Sequence, residues 1–308
     1  MNITNISAEP LGVLHSWLPT SLKAEQVVFL PDACPGRSPL PTGTVVWTRQ
    51  RDWRKYAVSD CGCGMRLLKS SLSRNDLTQS LWDDLAASLR ANKGQLGDLG
   101  GGNHFLDALL PYIDDYVYFL IHTGSRNESG LVDHLIDDEI AFDTEFKRVV
   151  EWARENRATV HEEIIRVFGP VSLILDLPHN TYEIQDDGSV IIRKGAVHVN
   201  PADLTVIPSH MAGDVALVKA TDRINELLYS LSHGTGRKLA RSDSKSMAEN
   251  YDFNKLRESV LMSSSMSDAS IKTEGPYAYR DLDQCLTLLE GYVEEIERFS
   301  VIGYLGHI

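Results

Sequence analysis

Tyr116-Val-Tyr-Phe-Leu-Ile-His-Thr-Gly-Ser-Arg126 is the stretch on which the fold and the site both turn. Tyr116 to Ile121 is aromatic or branched apolar, as a strand requires, and Gly124 ends the run. Such a strand carries His122 and Arg126 to a turn. The pattern recurs where Val171–Leu175 runs into Asp176-Leu-Pro-His-Asn180. Ser189–Ile192 and Val215–Val218 read as further short strands. Polar groups presented in turns at strand ends are where a rigid scaffold usually displays its reactive side chains.

Outward from these strands, three helices are expected. Leu77, Leu81, Leu85 and Leu89 recur every four residues and predict a helix over 75–92, behind a polar start at Ser73 and Asn75. A charged segment with helically spaced apolar residues predicts a surface helix over 143–167. Leu286, Leu289, Val293 and Ile296 predict a third over 281–299. Strands and helices do not alternate regularly. The expectation is therefore a mixed α+β fold, one domain over 1–308, with central β-sheets and hairpins surrounded by helices.

The 308 residues allow a sizeable core, and 43% are hydrophobic, an ordinary fraction for a globular chain. No window holds the roughly 18 apolar residues needed to cross a bilayer. Met1–Leu18 lacks a basic stretch followed by an apolar one, so no secretory signal is expected. The four cysteines, Cys34, Cys61, Cys63 and Cys285, suggest no disulfide framework, and a cytoplasmic location and a monomer are the simplest expectations. A net charge of −13 disfavours a general nucleic-acid binder. Basic residues nevertheless cluster at Arg49, Arg51, Arg54 and Lys55, at Arg193 and Lys194, and at Arg237, Lys238 and Arg241, and each cluster is expected close to a candidate motif.

Five segments hold the candidate chemistry: Asp60-Cys-Gly-Cys-Gly-Met65, Gly100-Gly-Gly-Asn-His-Phe105, His122-Thr-Gly-Ser-Arg126, Asp176-Leu-Pro-His-Asn180 and Ser232-His-Gly-Thr-Gly-Arg237. Each alone has an ordinary structural explanation. Together they bring imidazoles, a carboxylate and a thiolate beside flexible turns, which is the donor set of a divalent transition metal. Glycine turns expose N–H groups to anions, and Arg126 and Arg237 follow such turns, which points to phosphate chemistry.

In this order the segments, with Arg193-Lys-Gly-Ala196 and Ile207-Pro-Ser-His-Met211, resemble the RtcB family of RNA-splicing and RNA-repair ligases. Pro31-Asp-Ala-Cys-Pro-Gly36 and Pro276-Tyr-Ala-Tyr-Arg-Asp281 extend the resemblance over about residues 25–308. It implies a metal site in a central cleft and the joining of an RNA end bearing a 3′-phosphate or 2′,3′-cyclic phosphate to a 5′-hydroxyl end. GTP and two manganese ions would serve, zinc being a second candidate. Asp60, Cys63, His104, His122 and His179 would hold the metals, with Cys63 between two ions. His233 would be the nucleophile that takes GMP. Asn103 and Arg126 would contact phosphate, and Phe105, Asp107 and Tyr279 the guanine. Asn180, Pro208, Ser209 and Met211, with Gly234 and Gly236, would complete the nucleotide site. Arg193, Lys194 and Arg237 would meet the RNA.

The sequence departs from the family pattern in several places. Cys34 and Ile192 stand where histidine is usual, and Asp107 where glutamate is. His210 interrupts a small-residue turn, and the end is Gly306-His-Ile308 without a lysine. The interval from His122 to His179 is short. Two alternatives share the ligands: a metal-dependent phosphodiesterase or cyclic-phosphate hydrolase, and a non-catalytic protein that binds RNA ends.

Overall fold

The computed structural model describes Met1–Ile308. Its strands are β1 (Asn2–Asn5), β2 (Gln26–Cys34), β3 (Thr42–Thr48), β4 (Gly64–Ser73), β5 (Phe105–Pro111), β6 (Tyr116–Thr123), β7 (Val171–Pro178), β8 (Asn180–Ile184), β9 (Val190–Lys194), β10 (Ala196–His198), β11 (Leu204–Pro208), β12 (Asp214–Ala220), β13 (Ser230–Ser232), β14 (Leu261–Met262) and β15 (Val293–Gly306). The helices are α1 (Leu11–Trp17), α2 (Gln79–Ala91), α3 (Ser129–Val132), α4 (Glu139–Phe168), α5 (Arg241–Ala248), α6 (Phe253–Ser259), α7 (Asp268–Ile271) and α8 (Leu282–Leu288). The larger sheet runs β11-β12-β15-β5-β6-β4-β7, with β14 also paired to β15; the smaller runs β1-β2-β3-β9-β8. The β10–β13 pair touches strands of both sheets. The fold is the mixed α+β arrangement expected.

The sheet order explains how distant motifs meet. Neighbours β5, β6, β4 and β7 are antiparallel, so the start of β5, the end of β6, the start of β4 and the end of β7 share one sheet edge. Phe105 lies opposite His122, and Gly64 lies opposite both Thr123 and Pro178. His104, His122, Cys63 and His179 occupy those four ends.

Helix α4 ties the two sheets together. Asp138 caps it, accepting a hydrogen bond from Ala141 N–H at 3.0 Å, and Gly169, at φ 86°, stops it. Phe142, Phe146 and Val149 pack with Val27, Phe29 and Val46 of the smaller sheet. Val160, Ile164 and Phe168 pack with Leu67, Phe119 and Trp82 against the larger one. Full burial of each such aromatic or aliphatic side chain contributes about 1.5–3 kcal/mol.

Two expectations change. The helix predicted over 75–92 begins at Gln79, because Thr78 accepts a hydrogen bond from Leu81 N–H, while Arg74–Asp76 is a separate 3-10 turn capped by Ser73. The helix predicted over 281–299 ends at Leu288. Gly291, at φ 81°, reverses the chain, and Val293–Gly306 becomes a strand between β12 and β5. Ile296, counted in the helical stripe, is 49% exposed on that strand. Tertiary pairing overrides the apparent helical period here.

Candidate metal centre and adjoining cavity

Cys63 lies at the middle of the shared sheet edge, 1% exposed. Its Sγ is 3.3 Å from His122 Nε2 and 3.4 Å from His104 Nε2. His122 Nε2 is in turn 3.3 Å from His179 Nε2. The donor atoms form two groups, Cys63–His122–His179 and Asp60–Cys63–His104, with the atoms of each within 4.8 Å of one another. Cys63 belongs to both.

The local backbone serves this convergence. Ser59 and Asp60 take positive φ values of 77° and 55°, strained for side-chain-bearing residues, and Lys194 Nζ holds the Ser59 carbonyl at 2.5 Å. Gly124 cannot carry a side chain: a Cβ there would lie 2.8 Å from Asp60 Oδ1 and 3.0 Å from Cys63 Cβ. His122 Nδ1 donates to the Asn103 carbonyl at 2.9 Å, which leaves its Nε2 lone pair facing Cys63 and His179.

Electrostatics prepare the same atoms as ligands. Burial, then the like charges of His104 and His233, hold His122 well below the ordinary imidazole range. Burial, then His233 and His122, do the same to His179, and burial foremost lowers His104. Each of these shifts favours the neutral imidazole that metal ligation requires. Burial, then the Asp60 carboxylate, pushes the Cys63 thiol well above its usual value, so a cation must displace a proton there. Soft sulfur, three imidazoles and one carboxylate fit a divalent transition metal.

The ligand cluster opens onto a cavity of about 290 Å³ lined by 29 residues, near the lower end of small-ligand sites. Asp60, His122, His179 and His233 lie on its wall, whereas Cys63 and His104 sit behind them. His233 follows β13. Its ring centroid is 4.4 Å from that of His179, and its Nδ1 lies 2.7 Å from Asp32 Oδ2 and 2.9 Å from the Gly195 carbonyl. Both partners are acceptors, so Nδ1 carries the hydrogen and the Nε2 of the neutral ring keeps a lone pair. Gly195, at φ 63°, has no room for a Cβ, which would lie 2.5 Å from Thr42 and 3.2 Å from His233 Nδ1.

Asp32 is fully buried and has no role in the sequence reading, although it lies in the quoted segment 31–36. An asparagine there can offer an amide hydrogen to Nδ1 and so stabilise the wrong tautomer. We expect Asp32→Asn to slow any chemistry at His233 Nε2 by about a hundredfold or more while leaving bound metal unchanged. A wild-type rate in that variant would remove Asp32 from the site.

The predicted nucleotide residues Asn103, Phe105, Asp107, Asn180, Pro208 and Ser209 all line the cavity, as do Met211, Gly234, Gly236 and Tyr279. Asn180 has a structural task as well: its Oδ1 accepts from Gly195 N–H at 2.8 Å and its Nδ2 donates to the Asp60 carbonyl at 2.9 Å. Asp107 Oδ1 is buried without a partner, and burial raises its carboxyl well above the usual range.

Other assignments change. Arg126 is not on the cavity wall; its Nη1 reaches His104 Nδ1 from behind at 3.2 Å, and its Nε pairs with Asp98 at 3.3 Å. Arg193, expected on RNA, is 2% exposed and bonded to Ser230, Glu183 and the Leu228 carbonyl. Lys194 lines the cavity but is buried and spent on Ser59. The Arg237 guanidinium is held by Glu274, Ser244 and the Thr273 and Leu239 carbonyls. Of the first basic cluster, Arg54 is buried against Trp53 and paired with Glu139, Arg49 pairs with Asp187 and Lys55 with Asp52, none on the cavity wall. Sequence gives charge but not direction, so buried arginines pass for binding residues.

A family model described as "tRNA-splicing ligase RtcB" matches residues 141–305, more than half of the chain. RNA-splicing ligase RtcB2 of Escherichia coli is 28% identical, covering 86% of this chain and 83% of that protein. RNA-splicing ligase RtcB of Escherichia coli K12 is 22% identical, covering 88% of each. A tRNA-splicing ligase RtcB of Nanoarchaeum equitans is 24% identical over 69% of this chain and 60% of its own length.

Proposed function

This chain belongs to the RtcB family, and from that premise we propose that it is an RNA ligase joining a 3′-phosphate or 2′,3′-cyclic phosphate end to a 5′-hydroxyl end through GMP carried on His233. The observation that carries the reading is the setting of His233. Its Nδ1–H is tied to Asp32 and Gly195, and its ring stands against the metal ligand His179 on the wall of one cavity. The same Asp32–His233 pair could serve a hydrolase as general base to water, and nucleotide labelling of His233 separates the two readings.

Cys63, His122 and His179 would hold one ion, and Asp60, Cys63 and His104 a second, with manganese or zinc as the cation. Bound cations supply charge neutralisation on the phosphates and on the leaving group. His233 Nε2 attacks the α-phosphorus of GTP; the P–N bond forms and pyrophosphate leaves. Asp32 and the Gly195 carbonyl keep the Nδ1 hydrogen and offset the positive charge that grows on the ring. An oxygen of the RNA 3′-phosphate then attacks the same phosphorus, and the electron pair of the P–N bond returns to Nε2. A 2′,3′-cyclic end must be opened by water to the 3′-phosphate before it takes GMP. The 5′-hydroxyl finally attacks the phosphorus of the activated RNA end, the new P–O bond forming as GMP leaves, and the hydroxyl proton passes to solvent. With Arg193 buried, Arg37 and Arg241 on the cavity wall are the cations left to meet RNA phosphate; Arg241 has a side chain 54% exposed.

A protonated Asp107 offers one donor and one acceptor where a carboxylate offers two acceptors, so base choice is tested and not assumed. The protein is incubated with manganese and α-labelled GTP or ATP, then run on a denaturing gel. A band stable to base, lost in acid and absent in His233→Ala supports the reading. No band with either nucleotide, in protein shown to hold metal, transfers support to the hydrolase or RNA-end-binding alternative. We propose one domain over 1–308, working as a monomer in the cytoplasm. No helix is long and apolar enough to cross a membrane.

A further inference from the structure

The apolar stripe of α4 is broken at its centre. Phe142, Phe146, Val149 and Ala153 lead to Asn156 and Arg157, and Val160, Ile164 and Phe168 resume. Both polar residues are buried, at 0% and 1% exposure. Burying an amide and a guanidinium in adjacent positions is costly unless each bond they form is used.

Their partners are the backbones of the ligand-bearing segments. Arg157 Nη1 donates to the Gly62 carbonyl at 3.0 Å, one residue before Cys63, and to the Thr123 carbonyl at 3.2 Å, one residue after His122. Its Nε donates to Asp176 Oδ1 at 2.6 Å, three residues before His179, and Arg66 holds the other Asp176 oxygen at 2.7 Å. Asn156 Nδ2 donates to the Asp98 carbonyl at 3.0 Å and the Gly124 carbonyl at 3.2 Å, and its Oδ1 accepts from Gly97 N–H at 2.7 Å. Asp98 pairs with the Arg126 that touches His104. One turn of one helix thus grips the segments of Cys63, His122, His179 and His104. A sheet edge fixes strand ends only to within the freedom of their loops, and two ion sites sharing one sulfur need tighter spacing.

We propose that Asn156 and Arg157 are positioning residues that set the spacing of the ligand-bearing segments, so that Cys63 faces both halves of the metal centre. This rests on the metal-centre part of the function proposed above. The test is Co2+ titration of the full chain, read by the thiolate-to-cobalt absorption band and by equilibrium affinity, with circular dichroism and thermal melting as controls for folding. Arg157→Gln removes the forked grip, Asn156→Ser removes the amide donors, and Arg157→Lys keeps the charge.

In folded Arg157→Gln and Asn156→Ser we expect affinity weaker by about 10–100-fold and a shifted or weakened band, with partial recovery in Arg157→Lys. Wild-type affinity and band in either folded neutral variant overturns the proposal. If neither neutral variant folds, the pair serves the core and not the metal centre, and the proposal is equally overturned. A wild-type protein that shows no thiolate band at all defeats the metal-centre reading itself, a different outcome.

Discussion

Replacing Cys63 by alanine is expected to remove the metal ions of both halves of the centre. The two ligand groups have only this sulfur in common. Without it, His122 and His179 remain on one side and Asp60 and His104 on the other, and two ligands do not hold a divalent cation against water at micromolar concentration. The lost sulfur is small, and the site is bounded by strand ends held through backbone pairing. Removing it costs on the order of 1 kcal/mol in packing, so the variant should fold. Elemental analysis after desalting gives the result: wild-type protein with bound metal, the alanine variant with almost none. Full retention in the variant would show that the histidines and Asp60 bind without the shared thiolate. The same chemistry sets the sign of the pH effect in the wild type. Burial keeps Cys63 a thiol, so loading releases a proton and weakens as pH falls.

The candidate ligands stand out in the sequence because their segments combine rare features: donors beside glycine, proline or asparagine at the ends of apolar runs. His122 follows six apolar or aromatic residues, and the register of β6 against β4 and β5 turns that position into a site wall. What sequence does not carry is which ends meet. The β5-β6-β4-β7 order includes the pairing of β4 with β7, segments more than a hundred residues apart, as Arg66 and Asp176 show. The misread helix over 281–299 has the same origin, since Val293 and Ile296 of a strand placed between two others fall by chance at helical spacing from Leu286 of α8 and Leu289 that caps it. Arg193 failed for a related reason. Its neighbours Ile191 and Ile192 mark an interior strand, and an arginine there is more readily an internal cross-link than an RNA contact. Asp32 is mute in the sequence, because an acidic residue before Ala-Cys-Pro-Gly has no spacing relation to His233, 201 positions away. Asn156 and Arg157 left the clearest unused signal, a polar pair inside the apolar stripe of a long helix.

Replacing His233 by alanine is expected to abolish nucleotide labelling and RNA joining while leaving bound metal at the wild-type level. The separation follows from geometry. The His233 Nδ1 is engaged by Asp32 and Gly195, and the residue is in neither ligand group; its contact with the centre is ring against ring with His179. On the proposed mechanism its removal takes away the nucleophile and leaves both candidate ligand groups whole. His122 has both ring nitrogens engaged, Nδ1 by the Asn103 carbonyl and Nε2 by Cys63 and His179, and His210 Nδ1 is engaged by the Ala212 N–H. His233→Asn is the more searching variant. Its amide fills similar space and can still donate towards Asp32, but it offers no basic nitrogen to phosphorus. A metal-loaded His233→Asn protein should therefore be as inactive as His233→Ala, and joining by either variant would mean that the phosphoryl group passes directly between RNA ends without a histidine intermediate. Loss of metal in either variant would mean something else, that His233 belongs to the ligand set. Measuring metal content beside label in the same preparations keeps these two failures apart.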